Sequence, residues 1–257
     1  MSKRRINHNS SKPKGEKRRI TVVVTMPLER NIHQRAFLAY MEIMQQNWPT
    51  LQMEYQRTDV ARNFAARALL ETDYTHLLML DADHIHPADI VQRLARWPIQ
   101  HPDVWVVGGL NFRRTAPYDP LAFGKQDDGL YYSPAEWPQG LVKVDAIATC
   151  ALLIDRRVFE KGDPPYFYYD YSRAKEGLYP SEDMGFAKWC EAHDIQQYCD
   201  TTTTSPHITD MMVDEQTFKQ HRKQQEAKMV ATGNGHKPEL RPSGDVMLPD
   251  MVTRVNV

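Results

Sequence analysis

An α/β fold with a mostly parallel central sheet flanked by helices is predicted by three observations. Short β-branched or apolar runs recur along the chain, helical patterns separate them, and a pair of carboxylates follows directly where one run ends. The first run, "RITVVVT" (19–25), stops at Met26-Pro27 and suits a strand buried on both faces of a parallel sheet. A helix is expected around Asn31–Asn47, with Phe37, Leu38, Met41 and Met44 at three- and four-residue steps as its apolar face. Trp48-Pro49 ends it, and "LQMEYQRT" (51–58) alternates like a second strand. Val60–Glu71 is rich in strong helix formers, with Asp59 placed as its N-cap.

"THLLMLDADH" (75–84) is then a buried strand running into Asp81 and Asp83. Pro87–Trp97 reads as a helix and "VWVVGG" (104–109) as a strand. Strand–helix alternation of this kind calls for right-handed crossovers, and ligands bind at the carboxyl ends of such strands. Residues 111–146 carry Pro, Gly and aromatic residues, which fits loops and short antiparallel strands. "IATCALLI" (147–154) is read as one more buried strand, followed by a helical turn at Arg156–Glu160. Pro164–Pro180 is aromatic and Pro-rich, an expected active-site loop. Ser181–His193 reads as a helix with Ser181 as N-cap, and "QQYCDTTTT" (196–204) as a strand ending near His207. A polar helix is expected from Asp214 to about Val230, and an extended tail after it.

The 257 residues are 41% hydrophobic and 25% charged, ordinary values for a globular chain able to bury a core. A net charge of −1 argues against a global bias toward nucleic acid, yet it hides a split. Eight basic residues stand against Glu16 before Ile20, so that segment carries +7 and the remainder −8. Residues 1–18 accordingly read as a disordered basic arm. Three cysteines without CxxC spacing form no framework and favour a reducing, cytoplasmic setting. No apolar stretch approaches the roughly 20 residues of a spanning helix, so no membrane span is expected.

Asp81-Ala82-Asp83 places two carboxylates at i and i+2 where a strand exits, able to face one cation if the backbone turns there. Hard oxygen ligands of this kind suit Mg²⁺ or Mn²⁺, completed by substrate phosphates. Alone, a DxD is common, and two solvated loop aspartates are the plain reading. Glu182-Asp183 in a first helical turn is equally a helix-dipole pairing, and His207 alone is a loop histidine. Their order along the chain is more specific.

"ARNFAARALLETDYTHLLMLDAD" (61–83), "IATCALLIDRRVFE" (147–160) and "SEDMGFAKWCEAHDIQQYCDTTTTSPH" (181–207) resemble the motifs of GT-A glycosyltransferases, in particular family 2-like enzymes and their short soluble bacterial and phage relatives. The resemblance spans roughly residues 19–210 and implies a GT-A fold with a small antiparallel acceptor-side region. It implies a catalytic domain over 19–210 and leaves 211–257 as a C-terminal helix and tail. By the same resemblance, Thr25, Pro27 and Arg62 contact the nucleoside of a UDP- or GDP-linked sugar donor, together with Asp81 and Asp83. Asp81, Asp83 and His207 hold Mn²⁺ or Mg²⁺, while Glu182 and Asp183 stand beside the acceptor, with Asp183 the general base of inverting members. The family's "GTG" is "IAT" here (147–149), so the wall facing the sugar differs. His84 and His86 flank the DxD and could tune the metal, but a loop histidine leading into a helix is more often passive, and neither is assigned a role. Arg113 and Arg114, and the aromatic run Tyr166–Tyr171, fit either a ligand contact or a plain structural role.

Two rivals stay open: a sugar nucleotidyltransferase, against which the glycine-free "TMPLERNIHQR" (25–35) counts, and a GT-A fold that binds without catalysing. The acceptor is not specified. The basic arm would suit DNA, with hydroxymethylated bases as one acceptor class for a phage-type enzyme, in a host cytoplasm if viral; a solubilising terminus is the competing reading.

Overall fold

Alternate residues of the buried strands feed two separate hydrophobic clusters, so the central sheet is covered on both faces. The computed structural model describes residues 19–27, 32–53, 56–172, 174–176, 180–209 and 212–232. In chain order its strands and helices are β1 (Val22–Pro27), α1 (Gln34–Met44), β2 (Thr50–Met53), α2 (Thr58–Leu70), β3 (His76–Leu80), α3 (Ile90–Gln100) and β4 (Val106–Gly109). The second half adds β5 (Ala122–Lys125), β6 (Tyr131–Tyr132), β7 (Leu141–Val144), β8 (Ala146–Ile147), β9 (Ala151–Asp155), α4 (Arg156–Phe159) and α5 (Glu182–Ala192). β10 (Gln197–Asp200), β11 (His207–Ile208), β12 (Met212–Val213) and α6 (Glu215–Thr232) complete the described chain.

The large sheet has the order β2-β1-β3-β9-β4-β10-β7. β2, β1, β3, β4 and β10 run one way, and β9 and β7 run against them. This is the mixed α/β architecture with a mostly parallel sheet that the sequence predicts. Val23, Leu77, Met79, Leu152 and Ile154 pack with α2, α4 and α5 on one face. Val22, Val24, Leu78, Leu80, Ala151 and Leu153 pack with α1 and α3 on the other. A small antiparallel sheet, β6-β5-β8, supplies the expected irregular region.

Four local expectations are corrected. The bulky residues of α1 face outward: Phe37, Leu38 and Met41 are 45%, 53% and 40% exposed, while Ala36, Ala39 and Ile43 are buried. Two alanines at a three-residue step give that helix a flat face against the sheet, and periodicity alone did not say which face would win. Asp59 is not a cap; α2 begins one residue earlier, and the Asp59 carboxylate accepts from Arg57 Nε at 2.5 Å and Nη2 at 2.6 Å. The run 147–154 is not one strand. Ile147 pairs with Ala122 in the small sheet, Ala148–Cys150 turn, and β9 starts at Ala151. The break is held by Ala148 N–H donating to Leu121 O and by Cys150 O accepting from Asp81 N–H, both 2.9 Å. β10 ends at Asp200, whose carboxylate accepts from the Thr202 and Thr203 hydroxyls and from Arg96, so the threonines fold into a turn.

The basic arm (1–18) and the tail beyond Thr232 lie outside the described residues. α6 confirms the polar helix, and no described helix is long and apolar enough to cross a membrane.

Candidate active site

The carboxyl end of β3 delivers the first groups. Asp81 leaves the strand with its N–H fixed on Cys150 O, and α2 carries Arg62 alongside. Arg62 is buried, its side chain 7% exposed. Nη2 donates to Asp81 Oδ1 at 3.1 Å, Nη1 to Asp183 Oδ1 at 3.4 Å, and Nε lies 3.3 Å from Glu182 Oε1. Three carboxylates from two distant segments thus surround one guanidinium, whose proton affinity they raise further despite burial.

Glu182 and Asp183 occupy the first turn of α5 behind Ser181, which caps by backbone geometry without a side-chain hydrogen bond. Asp183 Oδ1 also accepts from Thr149 Oγ1 at 2.6 Å, the residue at the turn that breaks the expected strand. Burial pushes both carboxyls above their ordinary range; the neighbouring charge of Asp183 adds to this for Glu182, and Arg62 only partly opposes it. Gly185 makes this turn possible, because a Cβ there would sit 1.9 Å from Tyr168 O in the aromatic loop. That loop divides: Tyr166 and Phe167 are core residues, whereas Tyr169 meets Thr58 Oγ1 at 3.0 Å and Tyr171 is 60% exposed.

The second half of the site lies two residues beyond Asp81. Asp83 Oδ1 accepts from His84 Nδ1 at 2.8 Å, and its Oδ2 lies 3.0 Å from His207 Nε2 and 3.5 Å from Arg114 Nη1. Backbone pairing sets this contact, with Ile208 N–H donating to Asp83 O and Ile85 N–H to Pro206 O. His86, buried beneath, donates Nε2–H to Asp81 O and accepts at Nδ1 from Ser205 Oγ, tying the DxD turn to the His207 segment. Burial, with the charge of His84, pushes His86 down to about 4. Burial works against the Asp83 carboxylate, yet its bonds to His207 and His84 hold it well below the usual range. His207 moves up for the reciprocal reason, against its own burial.

These side chains fit a divalent cation. His207 donates Nδ1–H to Phe112 O at 3.0 Å, so the neutral ring presents a lone pair from Nε2 toward a carboxylate oxygen. Two electron-rich atoms facing each other call for a proton or a metal ion between them, and a carbonyl-anchored imidazole is the usual arrangement of a metal-ligating histidine. Asp83, His84 and His207 offer ligand atoms all within 4.8 Å of one another.

Arg62, Asp81, Asp83, Glu182, Asp183 and His207 all line one cavity of about 460 Å³. Thr25 does not line it; with Arg62 and Asp81 it lines a separate pocket of about 10 Å³, its hydroxyl buried and unpartnered among the described residues. Pro27 ends β1 in register with Met53; its side chain is outside the described set. The structure therefore gathers six of the eight residues singled out from sequence at one cavity, and it pairs Asp81 with Arg62 and Asp83 with the imidazoles. Sequence reasoning left His84 unassigned and missed Thr149; the departure "IAT" was the one available signal for the latter.

No family model matches this sequence, and no curated protein does. Among solved structures, A197 from STIV is similar with a TM-score of 0.54 at 16% identity, over 74% of this chain and 87% of that one. That likeness shows a shared fold. Looser neighbours are glucosyl-3-phosphoglycerate synthase from Mycobacterium tuberculosis, solved with Mn²⁺, UDP-glucose and phosphoglyceric acid, and CMP:2-keto-3-deoxy-manno-octonic acid synthetase complexed with CTP. Their TM-scores are 0.43 and 0.41 at 9% and 8% identity, covering 85% and 82% of this chain and 82% and 99% of theirs. Likeness at that level carries no weight for function.

Proposed function

We propose that this chain is a divalent-metal-dependent glycosyltransferase, moving a sugar from a nucleoside-diphosphate donor to an acceptor hydroxyl. One observation carries the reading: six chemistry-bearing side chains from four distant stretches of sequence line a single cavity. Four of them are carboxylates, and three of these share one buried arginine. A pyrophosphate enters such surroundings only with a cation to offset the repulsion. Asp83 and His207, with Asp81 beside them, would hold Mn²⁺ or Mg²⁺, which when bound supplies Lewis-acid neutralisation of the departing diphosphate.

The chain's own groups account for the remaining tasks. Arg62 fixes Asp81 and the α5 carboxylates relative to one another. Thr25 offers an uncommitted hydroxyl to the nucleoside. Asp183, oriented by Thr149 and made more basic by burial, takes the acceptor's proton, with Glu182 beside it. A sugar nucleotidyltransferase would share the metal and nucleotide half of this cavity, but it has no use for a proton-accepting carboxylate at the head of α5.

Calorimetry and transfer assays with UDP- and GDP-sugars in Mn²⁺ or Mg²⁺ test the assignment. Asp83→Ala abolishes metal-dependent donor binding, whereas Asp183→Asn retains it and loses roughly 10²–10⁴-fold in transfer. Donor affinity in Asp83→Ala with undiminished metal dependence would overturn the reading. For the acceptor, the basic arm, +6 over residues 1–18, supports DNA, with hydroxymethylated bases as the hydroxyl source. Duplex binding in a gel shift is then lost on deleting residues 1–18, and retention after that deletion removes the support.

A further inference from the structure

Within that reading, we infer that His84 is a third protein ligand of the metal, and that it tilts the site toward borderline ions such as Mn²⁺ and away from Mg²⁺. A DxD alone presents two hard carboxylates. Here Asp81 is engaged by Arg62, which leaves Asp83 as the carboxylate at the cation position. The places around Asp83 are taken by two imidazoles. His84 Nδ1 lies 2.8 Å from Oδ1, His207 Nε2 lies 3.0 Å from Oδ2, and the two rings stack with centroids 4.1 Å apart.

His84 is built into this position. It is 2% exposed, and the isolated bridge between His84 and His207 sets the two backbones side by side. Its Nε2 is buried with no hydrogen-bond partner among the described residues. No partner holds Nε2 in the acceptor state, so the ring can carry its proton on Nε2 when a cation takes the place of the Nδ1 proton, and Nδ1 then acts as a ligand instead of a donor to Asp83. The contrast with His86 is instructive, because both its ring nitrogens are committed to Ser205 and the Asp81 carbonyl. His86 holds the turn; His84 faces the ion. One carboxylate with two imidazoles is a donor set that favours nitrogen-accepting ions, whereas Mg²⁺ takes oxygen ligands and sheds its waters reluctantly.

Electron paramagnetic resonance of free Mn²⁺, titrated with the full-length protein and then competed with Mg²⁺, reads this directly. Two variants are compared, His84→Ala and His84→Gln; the glutamine amide still donates a hydrogen bond to Asp83 but offers only an oxygen to the metal. Both variants lose Mn²⁺ affinity by at least the roughly 10–100-fold typical of removing groups that merely support a ligand. The Mn²⁺-over-Mg²⁺ preference also falls, and thermal melts without metal verify that the variants fold. If His84→Gln binds Mn²⁺ as tightly as the parent with the same preference, His84 is only a hydrogen-bond donor and the inference fails, while the transferase reading stands. If the parent binds no Mn²⁺ with or without UDP, the transferase reading itself fails.

Discussion

Asp81 and Asp83 leave the same strand two residues apart, and the two sides of the cavity they begin are built on opposite principles. On the Asp81 side, three carboxylates share a buried guanidinium, so negative charge is answered from within the protein. On the Asp83 side, a partly exposed carboxylate is met by two imidazoles that oppose its charge only when protonated, and by a largely exposed guanidinium, Arg114, at 3.5 Å. The first arrangement is a fixed frame, and the second has ligand atoms left for an external cation. The difference shows why a DxD is a poor descriptor of this cavity. Its two aspartates have different partners and different work, and the long side chain of Arg62 on α2 decides which is which.

Replacing that arginine breaks the comparison most severely. Arg62→Met keeps much of the volume while leaving Asp81, Glu182 and Asp183 without their shared cation. Removing one partner from a buried ion pair costs roughly 3–5 kcal/mol. The expected result is a loss of that order in chemical denaturation at neutral pH, with part of it recovered in mildly acidic buffer as the carboxyls protonate. A loss below about 1 kcal/mol would mean that solvent already screens the cluster and that the frame is no frame.

Much of this frame was legible before any coordinates. Strand β3 running into Asp81 and the carboxylate-headed α5 are local patterns, since each follows from burial periodicity or from charge at a helix end, whereas Arg62 was singled out only through the family resemblance of its "ARN". What periodicity could not say was which side of a helix would win. On α1 the small side chains went inward and Phe37, Leu38 and Met41 outward, because close approach to the sheet outweighed side-chain size. Nor could it foresee the break at Ala148–Cys150. "IATCALLI" is uniformly apolar apart from one hydroxyl, and only the tertiary contacts of Ala148 with Leu121 and of Cys150 with Asp81 divide it. That division aims Thr149 at Asp183. His84 was noticed but stayed unassigned for a related reason: a histidine after a DxD acquires a definite place only when a segment over a hundred residues away, carrying His207, pairs beside it.

A gentler change sharpens the contrast, because the two sides should respond to pH with opposite signs. Glu182 titrates above its ordinary value in the folded protein through burial and the charge of Asp183. A carboxyl with a raised folded-state pKa contributes its stability below the unfolded-state value and loses it as pH rises through the folded one. Asp83, held low by its imidazoles, does the reverse: its contribution is present above the unfolded-state value and is lost as pH falls. Glu182→Gln removes the first effect and keeps the second, so the Asp83 contribution cancels when variant and parent are compared at each pH. Melting temperatures should therefore nearly coincide at about pH 4, where the parent's Glu182 is protonated, with the variant gaining as pH rises toward neutral. The opposite slope, a variant that weakens toward neutral pH, would mean that the Arg62–Glu182 pair outweighs desolvation and that the crowded side of the cavity is held together by the very charges that here oppose it.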